Sequence, residues 1–234
     1  MINLAIIPAR SGSKSFKNKN IKKINKKTLI EIAYQTAKNS KIFTDIIVST
    51  DSIKYANILK KKKIFINSLR SKKFAKDNTT DLQLLNYEIK KYEIQHKKKI
   101  NYISLLQPTS PLRTKKDLIK CFKLISNKKL DAVWTISKID KKFNPIKVLV
   151  IKNHKLKYFS KLGPTFVSRQ QLHESYIRNG IAYFFSRKAI MNYKKILPFN
   201  SSYIKINRKI VNIDSKKDFD IAKKIYIKKV LNLY

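Results

Sequence analysis

Residues 4–20 read LAIIPARSGSKSFKNKN. The first four are apolar, Pro8 follows closely, and the loop beyond carries Arg10, Gly12, Lys14, Lys17 and Lys19. A short apolar run bounded by Pro and Gly reads as a buried strand, because a strand covered on both faces has no need of polar alternation. A small-residue basic loop after such a strand reads as an anion site: N–H groups converge on one set of oxygens while Arg and Lys supply charge. Neither G-x-x-x-x-G-K-[ST] nor G-x-G-x-x-G occurs in the chain. The loop alone therefore suits nucleotide phosphate and an ordinary strand-to-helix turn with solvated lysines equally well.

The rhythm on either side extends the strand into a fold. Thr28-Leu29-Ile30-Glu31 is a capping-box pattern that predicts a helix to about residue 39. A second buried strand over 46–48 ends in Ser49, Thr50 and Asp51. A helix over 53–61, a short strand over 64–66 and an aperiodic loop over 69–81 follow, then a helix over 82–94 and a strand over 102–106. That strand runs into Gln107-Pro108-Thr109-Ser110-Pro111-Leu112-Arg113, whose prolines stiffen the backbone and remove ladder donors. A helix over 117–125 and a strand over 131–136, holding Trp134, complete the alternation. Alternating strands and helices predict an α/β fold: a Rossmann-like, doubly wound, mainly parallel sheet.

Between 137 and 164 the pattern changes, and strand-like runs over 147–151 and 156–159 flank Asn153-His154. This predicts a small antiparallel arm, and because an isolated hairpin is barely stable, a second subunit is its expected cover. Strands over 181–185 and 210–213 and a helix over 215–231 finish the chain, which reads as one folding unit over 1–234.

Composition excludes several classes. No apolar run approaches a membrane span and no basic-then-apolar leader is present, so the expected location is cytoplasmic. Cys121, the one cysteine, cannot form an internal disulfide and sits in a helical pattern as a core thiol. The net charge of +40 raises a nucleic-acid-binding alternative on an α/β scaffold. Only seven of the 54 basic residues are Arg, however, and the lysines occupy the polar faces of nearly every helix. That distribution predicts solvated faces and salt-sensitive adhesion to polyanions, with no specific nucleic-acid partner.

The strand ends share one chemistry. Arg10, Lys14 and Lys19 bring positive charge, Asp51, Asp77 and Asp214 offer hard-cation ligands, and Gln107 and Asn179 offer neutral hydrogen bonds. The inventory suits Mg²⁺-assisted nucleotidyl or phosphoryl transfer, in which positioning and charge neutralisation carry most of the catalysis. His96, His154 and His173 share no metal-ligand spacing.

Taken in order, IIPARSGSK at 6–14, Lys19-Asn20, Ser49-Thr50-Asp51, LLQPTSPLR at 105–113, Arg169-Gln170-Gln171, Arg178-Asn179-Gly180 and Asn212-Ile213-Asp214 resemble the acylneuraminate cytidylyltransferases, the CMP-nonulosonate synthetases. The resemblance covers nearly the whole chain. It implies the nucleotide-diphospho-sugar transferase type of fold and the joining of CTP to a nonulosonic acid, with Mg²⁺ and release of pyrophosphate; legionaminic acid and Kdo stand as alternative sugar acids. It further implies that Arg10, Gly12, Lys14, Lys19, Asn20, Arg70 and Thr79 hold the nucleotide, that Gln107 and Tyr176 meet the sugar, and that Arg169 is catalytic. It also implies a homodimer whose arm, about 137–171, reaches the partner's site. Asp214 and Asn212 are the expected metal ligands, and Asp214 or a metal-bound water is the expected acceptor of the attacking hydroxyl's proton. Asn212 stands where the family commonly has a second aspartate, so a weakened metal site is expected. Ser11 and Ser15 stand where glycines are usual, and Asp81 where a hydroxyl residue is usual.

Overall fold

The computed structural model describes residues 1–12, 15–64, 66, 68–165, 168, 170 and 172–230. Its centre is a six-stranded sheet laid down by strands with two buried faces. In β1 (Asn3–Pro8), Leu4 and Ile6 point into one apolar layer and Ala5 and Ile7 into the other. All four are fully buried, at about 1.5–3 kcal/mol for each large side chain. α1 (Leu29–Ser40) follows a two-residue-per-strand ribbon, β2 (Lys23–Ile24) and β3 (Lys27–Thr28), and opens on the expected capping box: Glu31 N–H donates to Thr28 Oγ1 (3.2 Å) and Thr28 N–H to Glu31 Oε2 (2.8 Å).

The chain continues through β4 (Asp45–Ser49), α2 (Ile53–Lys61), α3 (Asp81–His96), β5 (Tyr102–Leu105), α4 (Lys115–Asn127) and β6 (Ala132–Lys138). An excursion then carries the hairpin β7 (Leu149–Lys152) and β8 (Lys155–Tyr158). β9 (Tyr176–Ser186), α5 (Arg187–Met191), β10 (Ser201–Lys205) and α6 (Lys216–Val230) complete it. The sheet order is β10-β6-β9-β5-β1-β4, with only β9 antiparallel to its neighbours. α1, α2 and α4 contribute to one apolar layer and α3 and α5 to the other, as a doubly wound sheet requires. From β1 the chain winds outward to β4, then returns to place β5 on the other side of β1. This reversal opens a crevice beyond the carboxyl ends of β1 and β5, where open α/β sheets bind ligands.

Among the described residues two expected strands do not form, residue 65 of the first lying outside them. Ile64 is buried, but its N–H closes the end of α2 by donating to Leu59 O (3.0 Å) behind a left-handed Lys63 (φ 54°), a helix stop rather than a strand. Around 210–213, Ile213 packs with Leu29, Ile32 and Ala222, and its N–H is taken by Thr109 O (2.9 Å). Conversely, β10 and α5 lie in segments the pattern left unassigned.

Candidate active site

A cleft of about 270 Å³ occupies the crevice, lined by the first loop (Pro8, Arg10, Lys19, Asn20), the 70–81 loop (Arg70, Phe74, Lys76, Asp77, Thr79, Asp81), the 107–109 segment and Asp214. The first loop is held in place by Asp51, outside the cleft, and by Asn20, on its wall. Asp51 at the end of β4 accepts from Ser11 N–H and Ser11 Oγ, both at 3.0 Å, so this carboxylate serves the loop rather than the cleft. Asn20 is buried and donates to Arg10 O (3.0 Å), closing the loop on itself. Ser11 and Ser15 are not among the left-handed residues, so the conformation of this loop does not demand glycine there. Gly12 lies in the loop outside the cleft lining, with open space where a side chain would stand. Lys14 lies outside the described residues.

Two cleft cations rest on carboxylates of neighbouring segments. Arg10 Nη1 donates to Asp77 Oδ1 (2.5 Å), and Lys19 Nζ to Asp214 Oδ1 (2.9 Å) and Ile213 O (3.3 Å). A third, Arg70, is 5 % exposed, and among the described residues its Nε and Nη2 have no hydrogen-bond partner. Its backbone is anchored by donation to Thr50 O (2.7 Å). Burial lowers the guanidinium's pKa, an effect opposed by Asp51 and Glu88. Behind it Glu88 is buried and accepts from Ser49 Oγ (2.5 Å); burial raises its carboxyl above the usual carboxylate range. A buried arginine with open donors on a cleft wall fits an anionic oxygen cluster.

Gln107 lines the cleft from a loop clamped by Arg113, whose guanidinium donates to Ile181 O, Gln107 O (2.8 Å) and Gly180 O (3.3 Å). Burial lowers the pKa of Arg113 to about 10, so it stays a cation at neutral pH. Thr79 also lines the cleft. Besides Gly12, three expected site residues are placed elsewhere. Asn179 is buried in an irregular stretch of β9, accepting from Thr135 Oγ1 (2.7 Å) and donating to Ser137 Oγ (3.0 Å), so its amide is consumed inside the sheet. Tyr176 donates to Glu174 and lies under Lys205 Nζ, 4.8 Å from its ring. Asn212 accepts from Ser110 Oγ (2.7 Å) beside the cleft rather than lining it. Arg169 lies outside the described residues.

Among the described residues no group of three His, Cys, Asp or Glu is placed to hold a metal ion. Mg²⁺ asks less of a protein when phosphate oxygens and water complete its shell. Asp214, with a largely exposed side chain and one oxygen on Lys19, fits that lesser demand as a single carboxylate ligand, with the Asn212 amide oxygen nearby in sequence and already accepting from Ser110.

Sequence reasoning singled out Arg10, Lys19, Asn20, Arg70, Thr79, Gln107 and Asp214, and the structure brings all seven to this cleft. It missed Phe74, Lys76 and Leu84 as lining residues and the clamp role of Arg113, for which the only signal was an arginine closing a proline-rich loop. A larger groove of about 740 Å³ on the α3 surface is mainly apolar and shares only Phe74 with the cleft.

Comparison with known proteins agrees with this architecture. The model of a family described as "Cytidylyltransferase" matches residues 4–231. Relatives include post-translational flagellin modification protein B of Campylobacter coli, 30 % identical over 94 % of this chain and 92 % of the relative. CMP-N,N'-diacetyllegionaminic acid synthase of Campylobacter jejuni is 31 % identical over 94 % and 92 %. N-acylneuraminate cytidylyltransferase of Escherichia coli is 28 % identical over 97 % of this chain and 52 % of its own length, so the chain spans about half of that protein. Among solved structures, a CMP:2-keto-3-deoxy-manno-octonic acid synthetase complexed with CTP superposes with a TM-score of 0.74 at 14 % identity, covering 98 % of this chain and 100 % of that one, a likeness of fold. With a family match running almost from end to end, the chain belongs to the cytidylyltransferase family.

Proposed function

We propose that this enzyme transfers CMP from CTP to the anomeric hydroxyl of a nonulosonic acid. A bond forms between that oxygen and the α-phosphorus, the bond from the α-phosphorus to the bridging oxygen breaks, and pyrophosphate leaves. The observation that carries the reading is the cleft itself: Arg10, Lys19 and the open donors of buried Arg70 meet where Gln107 faces in from the next loop. The three cations bind the triphosphate and stabilise charge moving onto the leaving oxygens. Gln107 orients the sugar, and Asp214 takes the hydroxyl proton. Asp214, with Asn212 beside it, would hold Mg²⁺, which would supply neutralisation of the phosphate charge. Asn212→Asp tightens Mg²⁺ binding, read as a lower Mg²⁺ concentration for half-maximal activity.

The names of relatives acting on N-acylneuraminate, diacetyllegionaminic and pseudaminic acids support the nonulosonic class. The enzyme acts in the cytoplasm as a homodimer; one face of the β7–β8 hairpin supports the dimer. Leu149 pairs with Tyr158 and Ile151 with Leu156, and these four apolar side chains, 46–77 % exposed, share that face. Incubation with CTP, Mg²⁺ and each of these three acids releases pyrophosphate with at least one. No release with any, together with sequence-tolerant RNA binding that survives physiological salt, overturns the assignment in favour of a nucleic-acid binder.

A further inference from the structure

Arg113 is 4 % exposed and, among the described residues, forms no ion pair; the neighbouring carboxylate, Asp117, is taken by Arg208 (2.5 Å) and by the start of α4. A buried cation without a counter-ion is costly, and an apolar side chain would fill the space more cheaply. What an apolar side chain lacks is the planar fork that reaches three main-chain carbonyls at once. Two of them, at Gly180 and Ile181, belong to β9, and the third is that of Gln107. Gln107 O also accepts from Ser110 N–H (3.3 Å), so the fork holds the loop at its first residue and its middle.

The same loop carries the segment that leads to Asp214. Thr109 O accepts from Ile213 N–H (2.9 Å), and Ser110 Oγ donates to Asn212 Oδ1 (2.7 Å). Gly180 makes the crossing possible: its φ is +72°, and a Cβ there would stand 2.6 Å from Ser110 Oγ and 2.7 Å from Asn212 Oδ1. One guanidinium therefore ties together β9, the loop presenting Gln107 and, through two hydrogen bonds, the segment presenting Asp214.

We infer that Arg113 is a positioning residue for nucleotidyl transfer, fixing Gln107 and Asp214 relative to each other through main-chain carbonyls without touching substrate. Most of the nucleotide side of the cleft is held separately, by Asp51 on Ser11 and by Thr50 on Arg70, and only Lys19 leans on the Asp214 segment. Loss of the fork therefore disturbs sugar-side function more than nucleotide binding.

The kinetic readout rests on the proposed reaction; the exchange readout does not. The full chain carrying Arg113→Lys, which keeps the charge and loses the fork, is compared with Gly180→Ala, which disturbs the same crossing from the other side. In both, amide exchange at Ser110, Arg113 and Ile213 accelerates about 10-fold or more while β1 and α1 keep their protection. The CTP dissociation constant, measured calorimetrically, stays within about 3-fold. Turnover with the sugar acid falls about 10- to 100-fold through kcat or the sugar KM, the scale expected for a small misplacement of reacting groups. Unchanged exchange at those three amides in both variants overturns the inference, as does a loss of protection and CTP binding spread evenly over the molecule. If the parent protein releases no pyrophosphate with any sugar acid, the reaction assignment fails, and the exchange data still decide the role of Arg113.

Discussion

Arg70 shows how a single side chain can announce a ligand. Most buried donors in a folded protein are satisfied, and this guanidinium keeps two open donors on a cleft wall while Arg10 and Lys19 rest on carboxylates. A hydrogen bond to a charged group is worth about 1.5–3 kcal/mol, so Arg70→Met raises the CTP dissociation constant about 10- to 100-fold, measured by titration calorimetry. Arg70→Lys recovers only part of this, because an ammonium cannot present two parallel donors. Glu88, beneath Arg70, gives a test of electrostatics. Burial raises its carboxyl pKa, so above about pH 4.3 the unfolded chain sheds a proton that the folded protein still holds. Stability then falls as pH climbs from that ordinary value through the raised one. Glu88→Gln cannot ionise, so its stability relative to the parent, read from urea midpoints at a series of pH values, rises across that window and levels off above it.

At the scale of elements, the sequence was most legible where one physical cause acted alone. β1 and α1 are where apolar run, cap and period agree. The hairpin turn is legible for the same reason: Asn153 and His154 both adopt left-handed φ, 52° and 57°, which the tight turn between twisted strands requires. Reading failed where burial and hydrogen bonding part company. Val211 and Ile213 are apolar because they pack with α1 and α6, yet the Ile213 N–H bonds to the Gln107 loop instead of a strand. β10 escaped notice because an edge strand, with Tyr203 52 % exposed, has no continuous apolar run. Asn179 drew attention as a polar residue at a strand end, but the strand is irregular there and folds the amide inward. The β7–β8 arm yields a prediction at this scale. Ile151→Lys with Leu156→Lys places two charges on the shared apolar face, weakens self-association at least 10-fold by analytical ultracentrifugation, and leaves the far-ultraviolet spectrum of the chain unchanged. An unaltered association constant removes the arm from the interface.

Across the whole molecule the two basic residue types divide their labour. Of the six described arginines, Arg10, Arg178, Arg187 and Arg208 pair with Asp77, Asp81, Glu93 and Asp117, Arg113 clamps a loop, and Arg70 faces the cleft with open donors. Lysines dominate the +40 net charge, and on α6 Lys216, Lys217, Lys223 and Lys224 all stand exposed. A planar guanidinium rewards fixed geometry, whereas a solvated ammonium on a flexible stem contributes field without shape. Binding that arises from field alone depends steeply on ionic strength through counterion release. Retention on heparin or RNA should therefore fall by about 10³-fold or more between about 50 and 200 mM salt, without regard to base sequence. Reversing the four α6 lysines to Glu weakens that retention further and leaves pyrophosphate release within about 2-fold, because none of them lines the cleft. A loss of turnover that tracks the loss of RNA retention would instead make the charged surface part of the enzyme's task.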